Sequence, residues 1–138
     1  MRVIYDSKTG NVDRLIQHLG WDAQKIEPNL TIDEPYVLIT FTTGFGQVPP
    51  TVETFLQKNG DYLRGVAASG NRNFAQNFAR SADVIAEQYQ VPVLHKFELS
   101  GTPTDREIIK ERVERLQHET YRVKQRGYEN GRRVLSAT

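Results

Sequence analysis

Four short apolar runs punctuate the chain, and segments with helical spacing separate them. The runs are RVIY (2–5), YVLITF (36–41), RGVAAS (64–69) and VPVLHKFEL (91–99), with AQKIE (23–27) as a fainter fifth. Each is rich in β-branched or aromatic residues and bounded by Gly, Pro or polar clusters, as strands are. In NVDRLIQHLG, Val12, Leu15, Ile16 and Leu19 recur at helical spacing, with Asn11 placed to cap and Gly20 to stop. PTVETFLQKNG puts Pro50 in a first turn and ends near Gly60. Longer helices are predicted over 74–90 and 104–123. In the latter, Thr104 and Glu107 have capping-box spacing, and Ile108, Ile109, Val113 and Leu116 form one stripe.

Alternating strands and helices imply a parallel sheet covered on both faces, and strands that are apolar throughout agree. The expected fold is α/β, a doubly wound five-stranded parallel sheet in a three-layer sandwich. A chain of 138 residues fits one domain. That domain is expected to span 1–122. The remainder, 123–138, reads as a basic tail with no convincing element.

Composition narrows the chemistry. There is no cysteine, which excludes disulfide scaffolds, thiolate metal sites and cysteine nucleophiles. The N-terminus lacks the apolar core of a signal peptide, and no run approaches the roughly 20 apolar residues of a membrane span. A soluble, cytoplasmic protein is expected, with no membrane partner. From Arg122 onward lie five Lys/Arg and one acid, a net of +4; the remainder carries 13 bases and 16 acids, a net of −3. Such a tail either attracts nucleic acid or an acidic protein face, or is simply a solvated end, the commoner case.

In a doubly wound sheet, ligands bind beyond the carboxyl ends of the strands, where strand order reverses. This directs attention to loops 6–11, 42–50, 69–77 and 99–104. The first offers Ser7, Lys8, Thr9, Gly10 and Asn11 leading into Val12 and a helix. Hydroxyls, backbone N–H groups and a helix N-terminus suit a monophosphate. The nucleoside-triphosphate spacing G-x-x-x-x-G-K-[ST] is absent. The same residues also fit a plain hydrophilic turn in which Asn11 only caps. The second loop, TFTTGFGQVPP (40–50), carries Thr42, Thr43, Gly44, Phe45 and Gly46. Its glycines let backbone lie flat against a planar ligand. The alternative is an ordinary Gly-rich connection. In the third, Ser69, Gly70, Asn71, Asn73 and Asn77 can read the polar edge of a heterocycle while Phe74 stacks on its face. Phe78 reads as core. The fourth, with Leu99, Ser100, Gly101 and Thr102, is either a further wall or a loop before a helix.

Two architectural neighbours fail on their residues. Receiver domains need an acidic cluster after the first strand, where Asp6 stands alone. Small tyrosine phosphatases need a cysteine. His18, His95 and His118 are scattered and read as structural or solvated, so no metal site is expected.

The stretches YDSKTGNV, ITFTTGFGQVPPTVETFL, GVAASGNRNF and VPVLHKFELSGT together resemble the NrdI family, flavodoxin-like accessory proteins of ribonucleotide reductase. The likeness runs from about Met1 to Thr102. It implies a flavodoxin-like fold and noncovalent FMN, held by Ser7, Lys8, Thr9, Gly10, Asn11, Val12, Thr42, Thr43, Gly44, Phe45, Gly46, Ser69, Gly70, Asn71, Asn73, Phe74, Leu99, Ser100 and Gly101. It departs at Val12, where flavodoxins usually carry a hydroxyl, and at Phe74, where relatives often carry tryptophan. The resemblance further implies that reduced FMN converts dioxygen to superoxide for the dimanganese site of the class Ib reductase small subunit, which helps generate that subunit's tyrosyl radical. The electron donor is unidentified. Docking is expected beside the flavin, through Phe45, Gly46 and Gln47. Rival classes are a free-standing NAD(P)H-dependent FMN or quinone reductase, and a phosphate- or nucleic-acid-binding module working through the tail. A salt-sensitive shift with oligonucleotide and no flavin would mark the latter; no nucleic-acid partner is expected. Loops 6–11, 42–50 and 69–77 contain Asp6 as their only acid, beside Lys8 and Arg72. An anionic reduced flavin is therefore expected to be comparatively accessible.

Overall fold

A computed structural model describes residues 1–129, with side chains as far as Glu119. Strand β1 (Arg2–Tyr5) leads into helix α1 (Asn11–Leu19) and then β2 (Ala23–Lys25). After a loop come β3 (Tyr36–Phe41), α2 (Pro50–Asn59) and β4 (Leu63–Gly70). The chain closes with α3 (Arg80–Tyr89), β5 (Val93–Glu98) and α4 (Pro103–Glu129). The five strands form one sheet in the order β2-β1-β3-β4-β5, every pair parallel. From β1 the chain adds β2 on one side and β3 on the other. Strand order therefore reverses at β1 and β3, and a crevice opens beyond their carboxyl ends.

Both faces of the sheet are buried, which is why the strands carry no polar alternation. On one face Ile4, Leu38, Val66 and Ala68 pack with Val52, Phe55 and Leu56 of α2 and Ala82 and Ile85 of α3. On the other, Val3, Val37, Ile39, Ala67 and Phe97 pack with Val12, Leu15, Ile16 and Leu19 of α1 and Ile109 and Val113 of α4. These two layers around the sheet are the expected three-layer sandwich.

The long connection from β2 to β3 is pinned by one buried amide. Asn59 Oδ1 accepts the Ile32 N–H at 2.8 Å, and its Nδ2 donates to the carbonyls of Leu30 at 3.0 Å and Phe55 at 3.2 Å. The Tyr36 hydroxyl donates to the Asn59 carbonyl at 2.8 Å. Burial holds that phenol well above its ordinary pKa, the nearby Tyr89 adding to the effect and Arg64 opposing it, so the hydroxyl stays a donor.

Several local features differ from the sequence expectations. Gly10 with φ 87° is the N-cap of α1, and Asn11 is already helical. The segment expected to be one helix over 74–90 breaks into a 3-10 turn over 72–77 and α3, because Ala75 (φ 47°) and Ala79 (φ 48°) leave the helical region. Helix α4 is capped at Thr102, not Thr104. Asp105 N–H donates to Thr102 Oγ1 at 3.2 Å, while Thr102 N–H and Oγ1 both donate to Asp105 Oδ2. This is a capping box with Pro103 at the first helical position. The helix also continues to Glu129, past Arg122 where the tail was expected to begin. Residues 130–138 of that expected tail lie outside the described residues.

Candidate functional site

Beyond the carboxyl ends of β1, β3, β4 and β5 lies a cavity of about 370 Å³. The turn after β1 contributes Ser7, Lys8, Thr9, Asn11 and Val12; the end of β3 contributes Phe41, Thr42, Thr43 and Gly44. Ser69, Gly70, Asn71, Phe74 and Asn77 close it from β4, and Leu99 from β5. Thirteen of the expected site residues therefore line one space. Gly10, Phe45, Gly46, Asn73, Ser100 and Gly101 support its walls without lining it. Asn77, a polar residue of the third loop, joins the lining, and Phe41, at the end of an apolar strand, was not among the expected set.

The first wall is built around a left-handed glycine. Gly10 turns the chain so that the N–H groups of Asn11 and Val12, the first of α1, have no intrahelical acceptor by position. Ser7 Oγ takes the third such N–H, that of Asp13, at 3.3 Å. Two amides without an intrahelical acceptor thus lie at a helix N-terminus with Lys8 and Thr9 beside them on the cavity lining, an arrangement suited to an anion.

The second wall is a tight hairpin. Thr43 N–H donates to the Gln47 carbonyl at 3.0 Å, and Gln47 N–H returns to the Thr43 carbonyl at 2.8 Å. Gly44 and Gly46, both at positive φ, make the three-residue tip possible. At that tip Phe45 is 79% exposed. Its ring meets Phe74 edge to face with centroids 6.4 Å apart. The hairpin is anchored from below, where Thr42 and Ser81 hydroxyls share a hydrogen bond of 2.9 Å and Ser81 Oγ donates to the Phe41 carbonyl.

The remaining walls are tied together at β4 and β5. Ser69 Oγ donates to the Leu99 carbonyl, and Leu99 N–H donates to the Gly70 carbonyl at 3.1 Å. Leu99 itself holds φ 53° and is 51% exposed beside the cavity. Asn71 Oδ1 accepts the Asn73 N–H at 2.9 Å, shaping the turn that carries Phe74. Arg72 reaches Glu98 through its backbone N–H at 3.0 Å and stacks its guanidinium 4.7 Å over Phe78.

No carboxylate lines the cavity; Lys8 is its one charged residue. The nearby Asp6 is buried and engaged elsewhere, accepting from Thr51 Oγ1 of α2 at 2.6 Å. Among the described residues no group of three or more His, Asp or Glu is placed to hold a metal ion. No described helix is long and apolar enough to cross a membrane. The His95 ring lies against Asp105 at 2.7 Å, on the α4 side of β5 and away from the cavity lining.

This geometry can be set beside known proteins. The profile of the NrdI flavodoxin-like family matches residues 3–111. The chain belongs to that family. The match takes in every strand, and the NrdI protein of Bacillus licheniformis is 53% identical over 117 residues, covering 84% of this chain and 89% of its own. Among solved structures, a short-chain flavodoxin associated with a bacterial microcompartment superposes with a TM-score of 0.66. That alignment covers 86% of this chain and 96% of the flavodoxin, at 18% identity. At such identity the likeness establishes the flavodoxin-like fold, and the NrdI match establishes the family within it.

Proposed function

We propose that the chain binds FMN noncovalently in this cavity and serves as a redox accessory protein of class Ib ribonucleotide reductase. Bound and reduced, the flavin would pass electrons to dioxygen and supply superoxide for the dimanganese centre of the reductase small subunit. The observation that carries the reading is one cavity that joins an anion-suited turn to the glycine hairpin and the Asn-rich turn, in a chain of the NrdI family. Ser7, Lys8, Thr9, Gly10, Asn11 and Val12 would hold the phosphate. Thr42, Thr43, Gly44, Phe45 and Gly46 would lie along one edge of the isoalloxazine, and Ser69, Gly70, Asn71, Asn73 and Phe74 along another. Leu99, Ser100 and Gly101 would complete the pocket.

The surroundings of the cavity support transfer to a partner. Phe45, Phe74 and Leu99 are large apolar side chains left exposed around one opening, the composition of a docking rim. The small subunit would dock there, with Gln47 at its border, and the oxidant would travel directly between sites. The flavin must be reduced by a separate donor protein, and the setting is the cytoplasm.

The visible absorption spectrum of the purified protein tests the reading, with FMN supplied if the protein is colourless. Flavin bands that survive desalting are expected. Failure to retain flavin at excess FMN would leave the fold and remove the redox role. Steady NADPH turnover by the isolated chain would instead mark a free-standing reductase.

A further inference from the structure

Arg14 lies one turn into α1, outside the cavity lining and without a carboxylate partner among the described residues. Its guanidinium does not face solvent idly. One terminal nitrogen donates to Asn11 Oδ1, and Nε donates to Ser100 Oγ at 3.0 Å. The Ser100 hydroxyl then donates its own proton to the same Asn11 oxygen at 3.0 Å. The three side chains close a ring of hydrogen bonds between the first loop and the fourth. The ring also presses on Gly10, where a Cβ would stand 3.0 Å from an Arg14 terminal nitrogen.

The chemistry of the ring leaves only one orientation for the Asn11 amide. A guanidinium has donors and no acceptor, so the amide end that meets the Arg14 terminal nitrogen must be the carbonyl oxygen. Ser100, whose oxygen accepts from Nε, keeps its proton free to donate to that same oxygen. The amide nitrogen is left to point the other way, where it reaches Thr9 Oγ1 at 3.3 Å beside the cavity. Turned over, the amide would set an NH₂ against the Arg14 guanidinium and present an acceptor oxygen to whatever anion the turn holds.

We infer that Arg14 is a positioning residue: through Ser100 and Asn11 Oδ1 it locks the Asn11 amide with its N–H donors toward the anion site, making the pocket selective for a phosphorylated flavin. This rests on the flavin reading above. Losing the lock lets the amide rotate, which costs a donor to a charged group and leaves the walls at β3, β4 and β5 untouched.

Fluorescence titration with FMN and with riboflavin tests it, on wild type, Arg14→Met, Ser100→Ala, Asn11→Ala and the Arg14→Met/Asn11→Ala double variant. Arg14→Met should weaken FMN binding roughly tenfold and change riboflavin binding less than about twofold, since a hydrogen bond to a charged group is worth about 1.5–3 kcal/mol. Ser100→Ala should shift FMN in the same direction, about threefold, which covers the case of a poorly folding Arg14 variant. With Asn11 already Ala, adding Arg14→Met should cost less than about twofold, the mark of two residues acting as one unit. A full FMN loss in that background would mean the guanidinium acts on the phosphate by itself, and overturns the inference. So would equal losses for both flavins. Wild type that binds FMN while Arg14→Met binds it equally well overturns this inference alone. Wild type that binds neither flavin overturns the flavin reading, and this with it.

Discussion

Ala75 sits at φ 47°, ψ −109°, a region that a Cβ makes costly and glycine occupies freely. The residue is exposed, so its methyl contributes little packing. Ala75→Gly should therefore stabilise the protein by about 1 kcal/mol, the strain relieved outweighing the entropy lost. A shift of the urea midpoint to higher concentration at unchanged slope would show it. Asp105 gives a prediction of another kind. Burial alone would push its carboxyl up, but hydrogen bonds from His95 and Thr102 outweigh that and hold it below the ordinary value. The unfolded chain then binds that proton more readily. The stabilisation is complete above about pH 4 and is lost as pH falls through the folded value. Asp105→Asn should lower the melting temperature by about 3–6 °C at neutral pH, and the gap should narrow as the pH falls below the ordinary carboxylate range. A gap constant with pH would show that the charge on Asp105 is irrelevant.

Among elements, the β2–β3 connection depends on α2 through a single residue. Asn59→Ala would leave the Ile32 N–H and the Leu30 carbonyl without their partners in a buried setting. A loss of about 2–4 kcal/mol is expected from denaturant unfolding, larger than removal of side-chain volume at the same site would give. The elements themselves were legible in the sequence, since β-branched runs and helical stripes report burial directly. Their ends were less so. Thr104 looked like the cap of α4, yet Pro103 favours the first helical position and so makes Thr102 the cap; that signal was available. The break before α3 had no such signal, because alanine at 75 and 79 is a helix former and a glycine would have announced the turn. The site was legible loop by loop, as clusters of Gly, Asn and hydroxyl residues. What no single loop carries is the contact between Arg14 and Ser100, 86 positions apart, which arises only when the sheet brings loops one and four together.

For the whole molecule, the distribution of charge around the cavity would govern the redox state of the flavin proposed to bind there. With Lys8 as the charged lining residue and Asp6 occupied by Thr51, no carboxylate on the walls would repel a negative flavin. Closely spaced one-electron potentials are expected, and a redox titration that places the second far below the first would contradict this account. Lys8→Glu should widen the spacing by lowering the second potential, because it sets a like charge beside the anion.

The division of the interior by the sheet has a consequence for how such a chain tolerates change. The residues packed against α2 and α3 and those packed against α1 and α4 form two sets with no member in common. Substitutions of helix residues on opposite faces, Leu56 on α2 and Leu15 on α1 for example, should add in free energy to within about 0.5 kcal/mol, whereas neighbours inside one set should not. Each outer layer can then be repacked without compensation from the other.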